Sequence, residues 1–111
     1  MIDLNEKQAS LVRSILGQYL PRCEAWIFGS RYRGAAKNFS DLDLAIKSDR
    51  PLTLDELGLI SEAFENSSLP FRVDVVDYRS VGESFRALID ENSGLFYSPE
   101  AVADDGEIRK E

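Results

Sequence analysis

The chain has 111 residues, of which 43% are hydrophobic and 30% charged, and its formal net charge is −7. This composition is typical of a globular protein, and the length suits one domain with a single core. The negative charge argues against binding to long nucleic acid, because that affinity comes mainly from lysine and arginine neutralising phosphates. The sequence lacks an apolar run long enough to cross a membrane and the pattern of a signal peptide, so we expect a cytoplasmic protein.

The titratable residues are limited in kind. The sequence contains no histidine and one cysteine, Cys23. A zinc site and a histidine base are therefore excluded, and acid–base chemistry falls to carboxylates. Cys23 cannot form an internal disulfide, and we interpret it as a small core residue.

Three segments carry the pattern of a capped helix, in which an N-cap side chain and one three residues later bind each other's backbone N–H groups. The pairs are Asn5 with Gln8, Thr53 with Glu56, and Ser80 with Glu83. Apolar residues recur at helical spacing after each pair. The sequence therefore predicts three amphipathic helices, which end at Pro21, near Asn66 and at Gly94.

Short apolar runs predict strands at residues 23–28, 40–46, 71–77 and 95–97. Residues 30–40 are too few for a full crossover helix, so we expect a brief helical turn there and antiparallel pairing of the first two strands. The predicted fold is α/β (α+β), a small mixed sheet of about three to four strands flanked by helices. We expect this domain at residues 1–98 and a disordered acidic tail at residues 99–111.

The first two expected strands bring a glycine turn and two aspartates to the same edge of the sheet. Gly29 ends the first apolar run, and Ser30 and Arg31 then offer backbone N–H groups, a hydroxyl and a guanidinium that suit phosphate oxygens. Asp41 and Asp43 alternate with apolar residues, which places both on one strand face, about 6.6 Å apart by strand rise. Carboxylates so placed can share Mg²⁺, which takes oxygen ligands from proteins and from substrate phosphates.

The third expected strand contributes a further carboxylate. Asp74 can lie beside Asp43 if the second and third strands pair, whereas Asp77 faces the other side and is expected to cap or solvate the next turn. Arg31 is open between a surface charge, a partner of the aspartates and a contact to triphosphate, of which the last is favoured. Three further basic residues can line the same edge but are more simply solvated charges: Arg33, Lys37 and Arg72.

Gly29-Ser30, ten further residues and then Asp41-Leu-Asp43 resembles the signature of the DNA polymerase β-type nucleotidyltransferase superfamily. The longer pattern GSRxxGxA followed by SDLDLAI is similar to the minimal nucleotidyltransferases encoded beside HEPN-domain proteins, and the similarity covers most of residues 1–97. It implies that the Gly-Ser turn, continued by Arg31, holds a nucleoside triphosphate and that Asp41 and Asp43 bind Mg²⁺. Asp74 matches the third acidic residue, which completes the metal site.

The resemblance implies a magnesium-dependent transfer of AMP from ATP to a hydroxyl on a helical HEPN-type toxin. This protein would be the antitoxin in a hetero-oligomer with that toxin, and Asp74 would position or deprotonate the acceptor hydroxyl. Two alternatives stay open. One is a non-catalytic antitoxin that neutralises its partner by contact, and the other is a transferase that modifies a small molecule together with a separate helical subunit.

Overall fold

The computed structural model describes residues 3–34, 36–37 and 39–99. These residues form a mixed four-stranded sheet flanked by helices, which confirms the predicted fold class. The helices are α1 (Glu6–Tyr19), α2 (Ser30–Arg33), α3 (Leu54–Glu65) and α4 (Glu83–Glu91), and the strands are β1 (Glu24–Phe28), β2 (Leu42–Lys47), β3 (Val73–Asp77) and β4 (Ser93–Tyr97). Apart from residue 99, the expected tail lies outside the described residues, within which no helix is long and apolar enough to cross a membrane.

Two of the predicted capping boxes are present. At the start of α1, Asn5 Oδ1 accepts from the N–H of Gln8 at 2.8 Å, and Gln8 Oε1 accepts from the N–H of Asn5 at 3.1 Å. At the start of α3, Thr53 and Glu56 exchange the same pair of hydrogen bonds at 3.0 and 2.8 Å. Both helices therefore begin where their sequences predict.

The third predicted capping box is wrong. The Ser80 hydroxyl instead donates to Asp77 Oδ2 at 2.8 Å, and α4 begins after Gly82 without a side-chain cap. The helix also ends before Gly94, which belongs to β4. A Cβ on Gly94 would lie 2.7 Å from Tyr32 Cε1, so this glycine allows α2 to pack on β4 rather than ending a helix.

The strand order is β3-β2-β1-β4. Strand β1 runs antiparallel to β2, as predicted, and also antiparallel to β4. Helix α3 crosses over from β2 to β3, and these two strands are parallel. Phe28 at the end of β1 and Asp74 near the start of β3 both lie opposite Asp43, so the three strands bring these residues together at one edge.

The two faces of the sheet are covered by different helices. The main core lies between one face and helices α1 and α3, and it includes Cys23, as expected. The β2 residues on this face are fully buried: Leu42, Leu44 and Ile46. On the opposite face, the ring of Phe85 in α4 meets Phe28 edge-on, with 5.7 Å between ring centroids. Strand alternation places Asp43 on this second face, at the end next to Phe28.

Candidate active site

Gly29 forms the turn between β1 and α2. Its φ of 76° lies in the region that side chains rarely adopt. A Cβ at Gly29 would also overlap Asp43 Oδ2 and lie 3.2 Å from Asp43 Cγ. The Gly29 carbonyl accepts from the N–H groups of Tyr32 and Arg33 at 3.1 and 3.2 Å, which closes the turn and leaves Ser30 as the first residue of α2. The turn backbone therefore packs directly on a predicted metal ligand.

Three aspartates gather beside this turn. Asp43 and Asp74 are opposite each other in the parallel β2–β3 pair, where neighbouring strands lie about 4.8 Å apart. Asp41 comes immediately before β2 and shares their face by alternation. Burial raises the pKa of Asp43, and the charges of Asp74 and then Asp41 raise it further, whereas Arg33 lowers it. The negative charges repel one another, and a bound cation would relieve that repulsion.

The oxygen donors at this edge fit a cation that is shared with phosphate. Among the described residues, no three carboxylate or thiol groups converge into a complete set of metal ligands. Mg²⁺ commonly keeps part of its water and binds one or two carboxylates together with substrate phosphates. Asp41 and Asp43 offer such carboxylates, while Asp74 Oδ1 accepts a hydrogen bond from Arg72 Nη2 at 3.0 Å. The residues therefore fit magnesium bound with a nucleotide.

Arg31 belongs to α2, its side chain reaches the loop that follows this helix, and only 5% of its surface is exposed. Its Nε donates to the Ser40 carbonyl at 2.9 Å and its Nη1 to the Asp3 carbonyl at 2.7 Å. Its Nη2 donates to the Lys37 carbonyl at 3.4 Å, and the guanidinium lies 4.0 Å from the ring centroid of Phe71. These contacts therefore do not support the favoured interpretation, in which Arg31 contacts the triphosphate. Arg31 instead fixes the loop that leads into Asp41.

Comparison with known proteins agrees with this arrangement. Residues 2–101 match the family model described as polymerase beta, nucleotidyltransferase. This chain belongs to that nucleotidyltransferase family. A relative from Haemophilus influenzae, called probable protein adenylyltransferase MntA, is 43% identical over 88 residues, which cover 79% of this chain and 77% of the relative. The family resemblance read from the sequence is therefore confirmed.

Solved structures share the nucleotidyltransferase fold. A crystal structure of a toxin–antitoxin with AMP-PNP has a TM-score of 0.70 at 20% identity, covering 87% of this chain and 82% of the other. A tri-AMPylated Shewanella oneidensis HEPN toxin in complex with MNT antitoxin gives 0.63 at 16% identity, covering 86% of this chain and 74% of the other. At these identities the likeness establishes the fold alone.

Some residues near the site of this nucleotidyltransferase differ from their sequence interpretation. Arg72, expected to be a solvated charge, pairs with Asp74, and Arg33 acts on the pKa of Asp43. The pairing of Arg72 could have been found from strand alternation, since residues two apart share a face. Phe39 was missed: it is 74% exposed and lines a groove together with Asp41. Its loop has no periodic pattern that would have placed it there.

Proposed function

We propose that this nucleotidyltransferase transfers AMP from magnesium–ATP to a hydroxyl group on a HEPN-type toxin and acts as its antitoxin. The observation that carries the proposal is the contact between the Gly29 turn and Asp43, with Asp74 opposite Asp43 in the neighbouring strand. A turn suited to phosphate and three mutually repelling carboxylates thus lie side by side. The Haemophilus influenzae relative, named as a protein adenylyltransferase, supports the choice of AMP and of a protein substrate.

Each residue of the site has a role in this reaction. Asp41 and Asp43 would hold Mg²⁺, which supplies positive charge to the phosphates when it is bound. The Ser30 hydroxyl and the Gly29 turn would hold the β- and γ-phosphates. Asp74 accepts the proton of the acceptor hydroxyl, whose oxygen forms a bond to the α-phosphorus. The bond from that phosphorus to the β-phosphate oxygen breaks, and pyrophosphate leaves.

Arg72 forms an ion pair with Asp74, the proposed base. Its guanidinium Nη2 donates to Asp74 Oδ1 at 3.0 Å, and the Arg72 side chain is 76% exposed. Exposed ion pairs of this kind contribute little to stability, so the pair can open at small cost. We infer that the acceptor hydroxyl replaces Arg72 at this oxygen, which leaves the guanidinium available to a phosphate of the nucleotide.

Labelled-nucleotide incorporation tests the proposal. The protein and a co-purified HEPN partner are incubated with magnesium and each α-labelled nucleoside triphosphate, and label on the partner is counted. We expect incorporation from ATP, with magnesium or manganese, and no activity with zinc, because the donors are hard oxygens. The matched control is Asp55→Asn, which neutralises an exposed aspartate in the first turn of α3 and should transfer AMP like the unmodified chain.

The same variants separate catalysis from neutralisation by contact. Toxin activity is measured at equal occupancy of the complex for the unmodified protein, Asp43→Asn and Asp55→Asn. If Asp43→Asn incorporates no label yet neutralises as well as Asp55→Asn, the antitoxin works by contact, and the proposed cellular role of AMP transfer is wrong. Label that appears on a small molecule and not on the partner would instead favour the transferase with a separate substrate-binding subunit.

A further inference from the structure

A groove of about 760 Å³ runs along the outer edge of β3. The C-terminal half of α3 forms one wall, including Glu65, and the loop residue Phe39 stands at the end next to Asp41. Asp74 lines the groove as well, so it opens into the candidate active site. We call this feature the edge groove.

The backbone of β3 is ready to pair with another strand in the edge groove. Leu42 N–H donates to the Arg72 carbonyl at 2.9 Å, and Tyr78 N–H donates to the Ile46 carbonyl at 3.0 Å. In a parallel ladder, backbone groups of alternate residues turn to opposite sides, so those of residues 72, 74, 76 and 78 turn toward β2. The N–H and C=O groups of residues 73 and 75 therefore turn outward, and both residues line the groove.

The side chains of an added strand would contact two different surfaces in alternation, because successive residues point to opposite faces. On the core face they would meet the apolar wall, to which Phe64 and Leu69 contribute. On the other face they would stand beside Asp74, with Cβ atoms about 4.5–5.5 Å apart for directly opposite residues. A hydroxyl-bearing residue in that position would reach the proposed base.

The residues that line the edge groove carry an excess of negative charge, which favours a positively charged ligand. Asp41, Glu65 and Asp74 line it, and Arg72 is the basic residue among its described lining. An excess of negative charge disfavours a phosphate backbone and favours a segment with lysine or arginine. Phe39, which is 74% exposed, adds an aromatic surface for an apolar or aromatic side chain at the active-site end.

We propose that the edge groove binds an extended, positively charged segment of the acceptor protein as a fifth strand beside β3, and that this pairing presents the acceptor hydroxyl to Asp74. The inference rests on the proposed function, since it names how the protein substrate enters the same site. Backbone pairing supplies affinity that tolerates different side chains, and the alternation fixes which residue is modified.

A designed peptide tests the pairing directly. The probe is Lys-Val-Arg-Val-Tyr-Val-Arg-Val-Lys, whose tyrosine and basic residues share one face. Amide hydrogen exchange followed by NMR should show that the N–H groups of Val73 and Val75 become protected when this peptide is added. A peptide with glutamate in place of every lysine and arginine should bind at least about tenfold more weakly. Equal binding of both peptides, or protection confined to other elements, would overturn the proposal.

A matched pair of variants tests the role of the edge backbone. Val75→Pro removes one outward N–H and leaves the ladder to β2 intact, whereas Val75→Thr keeps the N–H and the branched shape. We expect Val75→Pro to bind the probe peptide about tenfold more weakly than Val75→Thr. Equal affinity of two folded variants would refute strand addition. If Val75→Pro does not fold, the exchange measurement on the unmodified chain decides the question alone.

Failure of the inference and failure of the proposed function give different results. In Asp43→Asn the edge groove is intact, so this variant should bind the peptide normally even though it transfers no AMP. If AMP reaches the HEPN partner at the same KM with Val75→Pro as with Val75→Thr, the function stands and the inference is wrong. If the peptide is captured in the groove but no chain, modified or not, transfers AMP, the proposed function is wrong.

Discussion

Both ends of the β2–β3 pair contain aspartates, but the surroundings of these carboxylates differ in hydrogen bonding and charge. At one end Asp43 lies opposite Asp74, and burial together with neighbouring carboxylates raises its pKa. At the other end Asp77 is 5% exposed and accepts from the N–H of Leu52 at 2.9 Å, the Ser80 hydroxyl at 2.8 Å and the N–H of Arg79 at 3.1 Å. The more deeply buried aspartate is thus held by hydrogen bonds from the turn around it, whereas Asp43 faces other carboxylates at the candidate site.

The surroundings of the two ends differ in charge as well. Near Asp77, Lys47 Nζ lies 4.3 and 4.4 Å from the ring centroids of Trp26 and Tyr78 and 4.0 Å from Asp90. The cation there is accommodated by aromatic rings and one carboxylate. Around Asp43 the neighbouring charges are those of Asp74 and Asp41, which raise its pKa, and of Arg33, which lowers it, while Arg72 pairs with Asp74. Unbalanced charge, rather than burial, distinguishes the end that we assign to catalysis.

The largest expected effect comes from removing charge at the catalytic end. Asp43→Asn and Asp74→Asn should each lower AMP transfer by about 10²–10⁴-fold. Asp74→Asn should leave magnesium–ATP binding nearly intact, because its loss removes the base, whereas Asp43→Asn should weaken binding and transfer together. Calorimetry with magnesium–ATP and single-turnover transfer measure the two properties. Normal transfer by either variant would break the comparison between the two ends.

Removing the carboxylate at the structural end should act on stability instead. Asp77→Ala leaves the buried N–H of Leu52 and the part-buried N–H of Arg79 without their acceptor, so we expect a loss of about 3 kcal/mol in the free energy of unfolding. Asp77→Asn keeps one carbonyl oxygen and should lose less. Urea unfolding gives the stability, and transfer per folded molecule should match that of the unmodified chain. A specific loss of transfer in folded Asp77→Asn would contradict a purely structural role.

A change in the glycine turn should affect both stability and nucleotide binding. Gly29→Ala forces a side chain into a positive φ and against Asp43, so we expect a loss of about 2 kcal/mol in stability and weaker nucleotide binding. Gly58→Ala is the matched control, because a Cβ there meets nothing within 4 Å in the middle of α3. It should stabilise the protein by about 1 kcal/mol. Thermal unfolding of both variants, with and without magnesium–ATP, tests this opposition.

The smallest effect is on pH dependence. Asp43 must be ionised to hold a cation, so magnesium–ATP binding should weaken as pH falls through its raised pKa. For the free protein the sign is opposite. The folded state binds the Asp43 proton more tightly than the unfolded state, so this group favours folding at low pH, and the contribution disappears as pH rises through the raised pKa. Urea unfolding against pH should show this trend, and Asp43→Asn should remove it.

The sequence predicts most of the fold, because its patterns are local. Alternation of Leu42, Asp43 and Leu44 gives the faces of β2 correctly, and short connection length gives its antiparallel pairing with β1. The pairing of β2 with β3 could only be stated as a condition, since strand partners across a helix leave no local pattern. The predicted capping box at Ser80 was wrong because the Ser80 hydroxyl donates to Asp77, three residues earlier in the same turn.

The candidate site shows the same division. Gly29, Asp41, Asp43 and Asp74 could be selected from their motif, and the structure brings them to one edge. Arg31 could not be placed, because its partners are backbone carbonyls whose positions depend on the folded loop. A guanidinium beside a phosphate-binding motif looks the same in sequence whether it binds a ligand or the chain itself.

The crossover through α3 has a consequence for the order in which the site can form. The Gly29 turn and Asp43 belong to neighbouring strands joined by a short loop, so a growing chain can pair them early. Asp74 follows α3 in the chain, so it can join them only once β3 is placed beside β2. Contacts that are close in sequence form faster than those across a long loop. We therefore expect a newly made chain to place its proposed proton acceptor after the Gly29 turn and Asp43 have paired.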